Sequence, residues 1–302
     1  MNKTTSALVI GTLLFSVTAA AQTGNANSNK NSREVASALN GLANAELSAA
    51  KAPSITVGTF NIGAAKVSSI SEIAKAIKAS KVDIMALQEV DQLTQRSGNI
   101  DHLAELKKLT GMYGIYGTAI DYDGGKYGLA FLSKYPITQK EIVQLPSGNR
   151  EQRIAFIAEI EAPNFPAPIV AINTHLDTKE NAAVRIEQIQ ELNDRTIEIR
   201  GIKLLFGDMN DTPQTASIQE LTKYWNPVMP LTADHRTWPA NNPEIGVDYI
   251  FTSNAQRWKV KDMVIPAKTG KWAGVNWPTV SDHLPVIATL QLTEQYSALL
   301  CE

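Results

Sequence analysis

Carboxylate, amide and imidazole side chains stand at the ends of short apolar runs in this sequence. A charge that emerges from a buried strand is costly unless it has an ionic, hydrogen-bond or metal partner. Oxygen and imidazole groups gathered in one place can bind divalent cations and act as the acids and bases of hydrolytic sites. The residues that fit this description are Asn61, Glu89, His175, Asp208, Asn210, Asp248, Asp282 and His283. They predict one polar centre at a rim of a sheet core.

Each acidic or amide motif also has a purely structural interpretation. Glu89 is either a ligand of a hard cation such as Mg²⁺ or a salt-bridged acid at a strand end. Asp208 and Asn210 flank Met209, so they share one face of an extended segment or form an Asx-turn. Asn61 is open to the same two interpretations. Only the occurrence of all these motifs together favours a functional site.

Two of the four histidines belong to this set. A lone histidine at a strand end is more often structural than catalytic. His175 and His283 both occur beside acidic strand ends, which favours a catalytic role. His102 and His235 lack that setting and are predicted to be surface or helix residues.

The elements that must position these side chains are predicted from hydrophobic periodicity. Amphipathic helices are predicted at residues 69–79 and 180–200, where apolar residues recur at helical spacing. Many strands and few helices favour two packed sheets with helices outside. Strands are predicted at residues 55–62, 83–88, 128–133, 153–160, 169–175, 202–206, 247–251, 258–264 and 285–292.

The composition narrows the class of protein. The chain has 302 residues, of which 44% are hydrophobic and 19% charged, as expected for a soluble globular protein. Lys and Arg number 28 against 30 Asp and Glu, so the net charge of −2 gives no basic excess. Nucleic acid is therefore a possible substrate that the charge does not favour.

The N-terminal residues predict export. Lys3 is followed by an apolar stretch at residues 7–17 and by three alanines at 19–21, before Gln22. This is the pattern of a signal peptide spanning residues 1–21, with a periplasmic or secreted mature protein. An uncleaved membrane anchor is the alternative, although the stretch is shorter than the roughly 20 residues of a membrane span.

The rest of the chain divides into a tether, one domain and a tail. Residues 22–52 are rich in Asn, Ser and Ala and predict a low-complexity tether. Residues 53–292 predict a single domain, and residues 293–302 a C-terminal tail. Cys301 is the only cysteine, which excludes an intrachain disulfide and a cysteine-rich zinc site. A monomer is expected.

Six motifs follow one another along the chain: Thr59-Phe60-Asn61, Gln88-Glu89-Val90-Asp91, Asn173-Thr174-His175, Gly207-Asp208-Met209-Asn210, Val247-Asp248-Tyr249-Ile250 and Ser281-Asp282-His283-Leu284-Pro285. In this order they resemble the endonuclease/exonuclease/phosphatase family, the deoxyribonuclease I-like superfamily. The resemblance spans residues 55–292 and implies an α/β fold, a four-layer sandwich of two packed, largely antiparallel sheets flanked by helices. Abasic-site endonucleases of the family carry an acid where this chain has Gly63, and a Tyr motif where it has His175. The resemblance is therefore to the phosphatase and phospholipase-type members.

The resemblance implies a metal end of the site. Phosphoester hydrolysis needs charge neutralisation on the transition state and an activated water. Glu89 and Asn61 would bind Mg²⁺ or Mn²⁺, with Asp282 completing this end. Asn210 and His175 would donate hydrogen bonds to phosphate oxygens.

It also implies an acid–base end. His283, oriented by Asp248, would act as general base, although Asp208 is the alternative acceptor of the proton. His283 is expected to be dispensable for stability because it lies at a rim.

Two further groups of residues are weaker candidates. Arg96, Arg150 and Arg153 can clamp a phosphate, or they can be solvated surface charges. Trp272 and Trp277 can contact a lipid interface or stack on a base, or they can pack in a loop.

These observations predict an exported, metal-dependent phosphoester hydrolase. The enzyme would be a phosphodiesterase or a phosphatase, and its substrate would be a small-molecule or lipid phosphoester. If the protein is an enzyme, the alternative is a secreted nuclease. If it is not an enzyme, the alternative is a catalytically silent binding module on the same fold. The sequence has neither the Gly-x-Ser-x-Gly motif of serine hydrolases nor the His-Glu-x-x-His motif of zinc proteases.

Overall fold

The computed structural model describes residues 52–266 and 271–293. The predicted signal peptide, nearly all of the tether, Cys301 and most of the tail lie outside the described residues. Pro53 begins the unit that contains every element below. None of the helices in the described ranges is long and apolar enough to cross a membrane.

Six strands form the first sheet, sheet I. Only the pair formed by Ser54–Asn61 and Ile84–Gln92 is parallel, and the other neighbours are antiparallel. In spatial order the strands are β11 (Trp258–Val264), β12 (Val286–Leu292), β1 (Ser54–Asn61), β2 (Ile84–Gln92), β4 (Gly125–Ser133) and β3 (Tyr113–Tyr122).

Sheet II also has six strands. Its one parallel pair is Ile169–His175 with Ile202–Asp208. In spatial order the strands are β5 (Ile137–Leu145), β6 (Arg153–Ile160), β7 (Ile169–His175), β8 (Ile202–Asp208), β10 (Asp248–Ser253) and β9 (Trp225–Pro227).

The two sheets face each other across an apolar core. Phe131 of β4 lies between Phe156 of β6 and Phe206 of β8, with ring centroids 5.6 and 6.3 Å apart. Residues of β2 alternate, so that Ile84 enters this core while Met85 faces the opposite side of sheet I. Both faces of this strand are therefore buried, and each sheet needs an outer cover.

Helices supply that outer cover. Sheet I is covered by α1 (Ile70–Ser80) and α2 (His102–Thr110), whose apolar faces join the cluster around Met85. Sheet II is covered by α3 (Ala183–Ile197) and α4 (Ala216–Leu221). The result is helix, sheet, sheet, helix, which confirms the predicted four-layer sandwich with largely antiparallel sheets.

The helix ends follow local side-chain chemistry. Ser69 accepts a hydrogen bond from Glu72 N at the start of α1, and Asp101 accepts one from Ala104 N at the start of α2. All nine predicted strands and both predicted helices are present with small changes of boundary. The elements that the sequence analysis missed are β3, β5, β9, α2 and α4.

The topology brings polar strand ends to one rim. The parallel pair β1 and β2 ends at Asn61 and just beyond Glu89, and the parallel pair β7 and β8 ends at His175 and Asp208. Antiparallel β10 starts at Asp248, which lies opposite Asp208 in the register. Antiparallel β12 starts just after His283. Chain ends from both sheets therefore meet at the same rim.

Candidate active site

A hydrogen-bonded acid and imidazole form the centre of this rim. His283 Nδ1 donates to Asp248 Oδ2 at 2.9 Å. Both residues are buried, and the other oxygen of Asp248 has no hydrogen-bond partner among the described residues. Because the bond occupies Nδ1, the remaining ring nitrogen, Nε2, is the one that can exchange a proton with a substrate or water.

Asp208 lies where the two sheets converge. Its Oδ2 accepts a hydrogen bond from Asn61 Nδ2 at 3.0 Å, and its Oδ1 accepts one from Asn210 N at 3.0 Å. The same Oδ2 lies 3.6 Å from His175 Nε2 and 3.8 Å from His283 Nε2. One carboxylate oxygen therefore faces both imidazoles.

Burial and neighbouring charges shift the pKa values of this group. Burial lowers the pKa of His283, but the charge and hydrogen bond of Asp248, followed by the charge of Asp208, outweigh it and raise that pKa to about 10. Burial and the Asp248 charge raise the pKa of Asp208 to about 7. Burial, with the charges of Arg153 and His283, lowers the pKa of His175 well below its usual value. His175 is thus a neutral imidazole, and the charge of each of Asp208 and His283 favours the charged form of the other.

Glu89 is directed to the rim by an irregularity in β2. The pairing of β2 with β4 shifts register between Leu87 and Val90, and Glu89 has a left-handed φ of 53°. Such conformations cost energy and are found preferentially at functional sites. The Glu89 carboxylate accepts from Asn61 Nδ2 at 3.2 Å and lies 3.8 Å from Lys66 Nζ.

Asn61 connects the two ends of the site. Its Oδ1 accepts a hydrogen bond from Gly63 N at 3.0 Å, which directs its Nδ2 toward the carboxylates of Glu89 and Asp208. In this structure Asn61 donates to the acids. Ligation of a cation by its oxygen, as the resemblance implies, requires the opposite amide orientation.

Asp282 reaches this end of the site from the segment before β12. Its carboxylate is exposed and lies over the backbone of Gly63, where a Cβ would clash with Asp282 Oδ1. Gly63 also has a left-handed φ of 53°, which favours glycine. A side chain at position 63, such as the acid of abasic-site endonucleases, would displace Asp282.

The donor set at this end fits a hard divalent cation. Glu89 and Asp282 offer carboxylate oxygens, and neither carboxylate is enclosed by hydrogen bonds from basic side chains. Mg²⁺ and Mn²⁺ prefer oxygen ligands and need only one or two carboxylates. Asp208, Asp248 and His283 also come within cation-binding distance of one another. That second group is better described as an acid–base unit, because the hydrogen bond between His283 and Asp248 already occupies two of its atoms.

Asn210 joins the loops that follow two strands. It has a left-handed φ of 49°, and its Nδ2 donates to Leu176 O at 2.9 Å. This bond ties the segment after β8 to the residue after His175. One amide hydrogen of Asn210 is thus used within the protein, and the other is the one that can reach a phosphate oxygen.

Comparison with known proteins gives the family. Residues 58–283 match the model of the Endonuclease/Exonuclease/phosphatase family. The chain belongs to this family. The match confirms the membership predicted from the six motifs. No curated protein sequence matches the chain significantly.

Solved structures share the family fold. An endonuclease/exonuclease/phosphatase from Bacteroides vulgatus is 20% identical, with a TM-score of 0.63 over 80% of this chain and 99% of that one. The mannosyl-6-phosphatase of Bacteroides thetaiotaomicron is 18% identical, with a TM-score of 0.60 over 78% and 99%. The human Nocturnin catalytic domain with bound sulfate is 19% identical, with a TM-score of 0.59 over 80% and 94%. At these identities the likenesses show the fold alone.

Arg96 is not a free phosphate clamp on the family fold. Its Nε and one terminal nitrogen donate to the two oxygens of Asp91, each at 2.7 Å. Its guanidinium also stacks on Tyr122 and Tyr127, at 4.5 and 5.4 Å from the ring centroids. The prediction that Arg96 binds phosphate is wrong for this conformation, because the bidentate geometry is already used by Asp91.

Arg150 and Arg153 differ from each other. Arg150 Nε donates to the buried carboxylate of Asp177, so it is an internal ion pair. Arg153 begins β6 and lines a small cavity with His175 and Tyr127. Its side chain is buried, its Nε has no partner among the described residues, and one terminal nitrogen lies 3.1 Å from Glu151. Of the three arginines, only Arg153 has donor capacity next to a site imidazole.

The structure also places the two tryptophans and the other two histidines. Trp277 is 0% exposed and packs edge-on against Phe60, so it cannot contact a membrane or a base. Trp272 is partly buried against the same cluster. His102 and His235 were both predicted to be surface or helix residues: His102 is a helix residue as predicted, although it is buried, whereas the prediction for His235 is wrong because His235 is buried outside a helix. His102 starts α2, whereas His235 lies in a loop between β9 and β10.

The sequence analysis also missed a polar bridge between the sheets. Gln88 Nε2 donates to Asn173 Oδ1 at 2.7 Å and to Thr59 Oγ1 at 3.0 Å, and all three residues are buried. Gln88 directly precedes Glu89 in one of the six motifs, and Asn173 lies two residues before His175 in another. The bridge fixes the ends of β2 and β7 relative to each other, which positions the site residues that follow.

Proposed function

We propose that this member of the endonuclease/exonuclease/phosphatase family is an exported, Mg²⁺- or Mn²⁺-dependent phosphoester hydrolase. Its substrate is a small-molecule or lipid phosphoester, cleaved as a monoester or a diester. The observation that carries the proposal is the convergence of Asp208 on two imidazoles, with His283 held by Asp248 at 2.9 Å.

The geometry supports a division of labour for hydrolysis. Asp208 Oδ2 and His283 Nε2 face the same space and form the unit that takes a proton from the attacking water. Asp248 holds the His283 ring in place. His175, a neutral imidazole, and Asn210 donate hydrogen bonds to phosphate oxygens.

The cation-binding end would be built from Glu89 and Asp282, with Asn61 holding Glu89 toward Asp208. A divalent cation bound there would neutralise negative charge that develops on the phosphoryl group. Asn61 connects both ends of the site, so a substrate phosphate between them would be in reach of the acid–base unit.

Charge supports a small or lipid substrate over nucleic acid. A net charge of −2 provides no general attraction to a polyphosphate backbone. Two of the three candidate phosphate-binding arginines are internal ion pairs, which further reduces the basic surface near the rim. A nuclease is therefore the second candidate for the substrate class.

The test is a substrate screen with purified protein and added Mg²⁺ or Mn²⁺. The substrates are p-nitrophenyl phosphate, bis-p-nitrophenyl phosphate, mannose 6-phosphate, sphingomyelin and plasmid DNA. Turnover of any of the first four above an Asp208→Asn control supports the proposal. Turnover of plasmid DNA alone supports the nuclease, and no turnover of any substrate supports the silent binding module.

Arg153 is expected to contribute to phosphate binding. Replacing it with glutamine should lower kcat/KM by about 10-fold or more, since hydrogen bonds to charged groups contribute roughly 1.5–3 kcal/mol. Inorganic phosphate should inhibit the variant correspondingly less. Initial rates and phosphate inhibition constants measure both effects.

Arg150→Gln is the matched control for Arg153→Gln. Arg150 neutralises the buried Asp177, so its loss should lower the melting temperature more than it changes phosphate inhibition. Equal phosphate inhibition of wild type and Arg153→Gln would remove Arg153 from the binding site.

Export rests on the N-terminal sequence. When the full chain is expressed in a secretory bacterial host, the mature protein should start near Gln22, because the alanines at 19–21 form the cleavage pattern. N-terminal sequencing of the periplasmic and medium fractions measures this. Intact Met1 on protein confined to the cytoplasm would contradict export.

A further inference from the structure

An exposed tryptophan stands next to the proposed acid–base unit. Trp238 lies in the loop between β9 and β10, and its ring centroid is 6.5 Å from that of His283. Its side chain is 40% exposed, whereas Trp225 and Trp277 are almost completely buried. The indole therefore lies beside the His283 ring and is partly open to solvent.

Trp238 is paired with a second exposed apolar residue. Trp238 and Ile245 exchange both backbone hydrogen bonds, each at 3.0 Å, as an isolated antiparallel bridge. Side chains at directly paired positions lie on the same face of such a bridge. Ile245 is 39% exposed, so the two residues present one apolar surface.

The loop is fixed to the chain segment that carries His283. Leu284 N donates to Thr237 O at 2.8 Å, and Ala240 N donates to Asp282 O at 2.7 Å. The bonded residues of the last segment stand directly before and after His283 in sequence, and those of the loop stand before and after Trp238. The indole is thus held in place relative to the catalytic rim, which is what a binding surface requires.

We propose that Trp238 and Ile245 form an apolar platform that binds a flat ring in the organic group of the substrate, next to the phosphate. The proposal rests on the proposed function, because it assumes that a phosphoester occupies the rim. A planar ring can stack on the open face of the indole, while Ile245 extends the apolar contact beyond it.

The platform predicts selectivity by the organic group. A phosphoester whose organic group carries a flat ring gains contact with the platform, whereas one with a small aliphatic group does not. Aromatic stacking on a tryptophan contributes enough that loss of the ring reduces affinity by roughly 5- to 100-fold. An aryl group and a nucleobase have the required flat shape, whereas a sugar ring is puckered.

The first experiment is a binding comparison with two non-hydrolysable ligands. Phenylphosphonate and methylphosphonate carry the same phosphorus acid and differ only in the ring. Calorimetric titration into the metal-supplemented wild type should show tighter binding of phenylphosphonate. Trp238→Ala should weaken phenylphosphonate by roughly 5- to 100-fold and leave methylphosphonate within about two-fold, and Trp238→Phe should restore most of the difference.

Tyr113→Ala is the matched control. Tyr113 is another exposed aromatic residue, at the start of β3. It pairs with Ser133, which pairs with Ile84 at the end of β2 opposite Glu89. Its removal should leave both phosphonates unaffected. Melting temperatures of all variants show that each is folded, and Trp238→Phe provides the folded comparison should Trp238→Ala be unstable.

The second experiment identifies the kind of ring. The ratio of wild-type to Trp238→Ala kcat/KM is measured for phenyl phosphate, a nucleoside 5′-monophosphate, glucose 6-phosphate and glycerol phosphate. The ratio should be near one for glycerol phosphate and largest for the ring that the platform fits. Because each ratio uses one substrate, differences in leaving-group reactivity cancel.

The outcomes separate this proposal from the proposed function. If methylphosphonate binds and phosphoesters are hydrolysed, but Trp238→Ala changes all ligands equally, the platform is wrong and the hydrolase remains. If neither phosphonate binds the wild type and no phosphoester is turned over, the proposed hydrolase function is wrong, and the proposed platform is then wrong as well.

Discussion

Replacing His283 with glutamine is expected to reduce kcat by about 10²- to 10⁴-fold, the usual contribution of a positioned acid–base group. Glutamine removes the imidazole that faces Asp208 but retains a donor for the buried Asp248 carboxylate. Asp248→Asn should lose a large part of the same activity, because His283 Nδ1 then no longer has a carboxylate to orient it. Steady-state kinetics with saturating Mg²⁺ or Mn²⁺ measure both variants.

Alanine is a poorer choice at this position for a structural reason. His283 was expected to be dispensable for stability, but it is only 6% exposed and, within the described ranges, provides the one hydrogen bond that Asp248 Oδ2 receives. Asp248 Oδ1 already has no partner among the described residues. His283→Ala would leave a buried carboxylate unpaired, which typically costs about 3–5 kcal/mol. His283→Ala should therefore lose both activity and melting temperature.

His102 provides the control that separates stability from catalysis. It is buried, and its Nδ1 accepts a hydrogen bond from Asp91 N at 3.3 Å. His102→Ala should lower the melting temperature while the kcat of the folded fraction stays near wild type. If His283→Gln kept most of the wild-type rate, or lost it only in proportion to unfolding, the acid–base assignment would have to be withdrawn.

The sequence was sufficient for the strands that carry the site because those strands are buried on both faces. Apolar runs such as residues 204–206 end abruptly before Asp208, and this contrast is visible without a structure. The missed strands lack that contrast. β5 carries Thr138, Gln139, Lys140 and Glu141 within its first half, and β3 is mostly half-buried. Edge strands with polar faces resemble loops in sequence.

The peripheral residues could not be sorted from sequence because their roles depend on distant partners. Trp277 and Trp238 both precede a proline, yet one is packed against Phe60 and the other is exposed beside His283. Arg150 and Arg153 are three residues apart and have opposite environments. Only the fold shows that Asp177 neutralises the first while the second lies next to His175. Local sequence fixes side-chain type, and tertiary packing decides exposure.

Glu89→Gln is expected to abolish cation binding at the rim without unfolding the protein. The Glu89 carboxylate shares the donor Asn61 Nδ2 with Asp208, so two negative charges lie close together when no cation is present. Removing one charge should keep or slightly raise the melting temperature of the metal-free protein. In the wild type, EDTA should abolish activity and Mg²⁺ or Mn²⁺ should restore it.

The readout that isolates Glu89 is thermal stabilisation by the cation. A ligand that binds only the folded state raises its stability with the logarithm of the ligand concentration, by about 2.7 kcal/mol at 100 times its Kd. Mg²⁺ or Mn²⁺ should therefore raise the melting temperature of the wild type and not that of Glu89→Gln. The kcat of Glu89→Gln should be reduced at least as much as EDTA reduces the kcat of the wild type.

Glu159→Gln is the matched acid-to-amide control for Glu89→Gln. Glu159 pairs with Val170 near the start of β7, at the end of sheet II opposite His175. Its carboxylate bonds to Lys140 at 2.5 Å and should take no part in cation binding. Glu159→Gln should therefore keep the full cation-dependent shift in melting temperature. Full wild-type activity in excess chelator would show that hydrolysis needs no metal, and an undiminished cation shift in Glu89→Gln would show that the cation binds without Glu89.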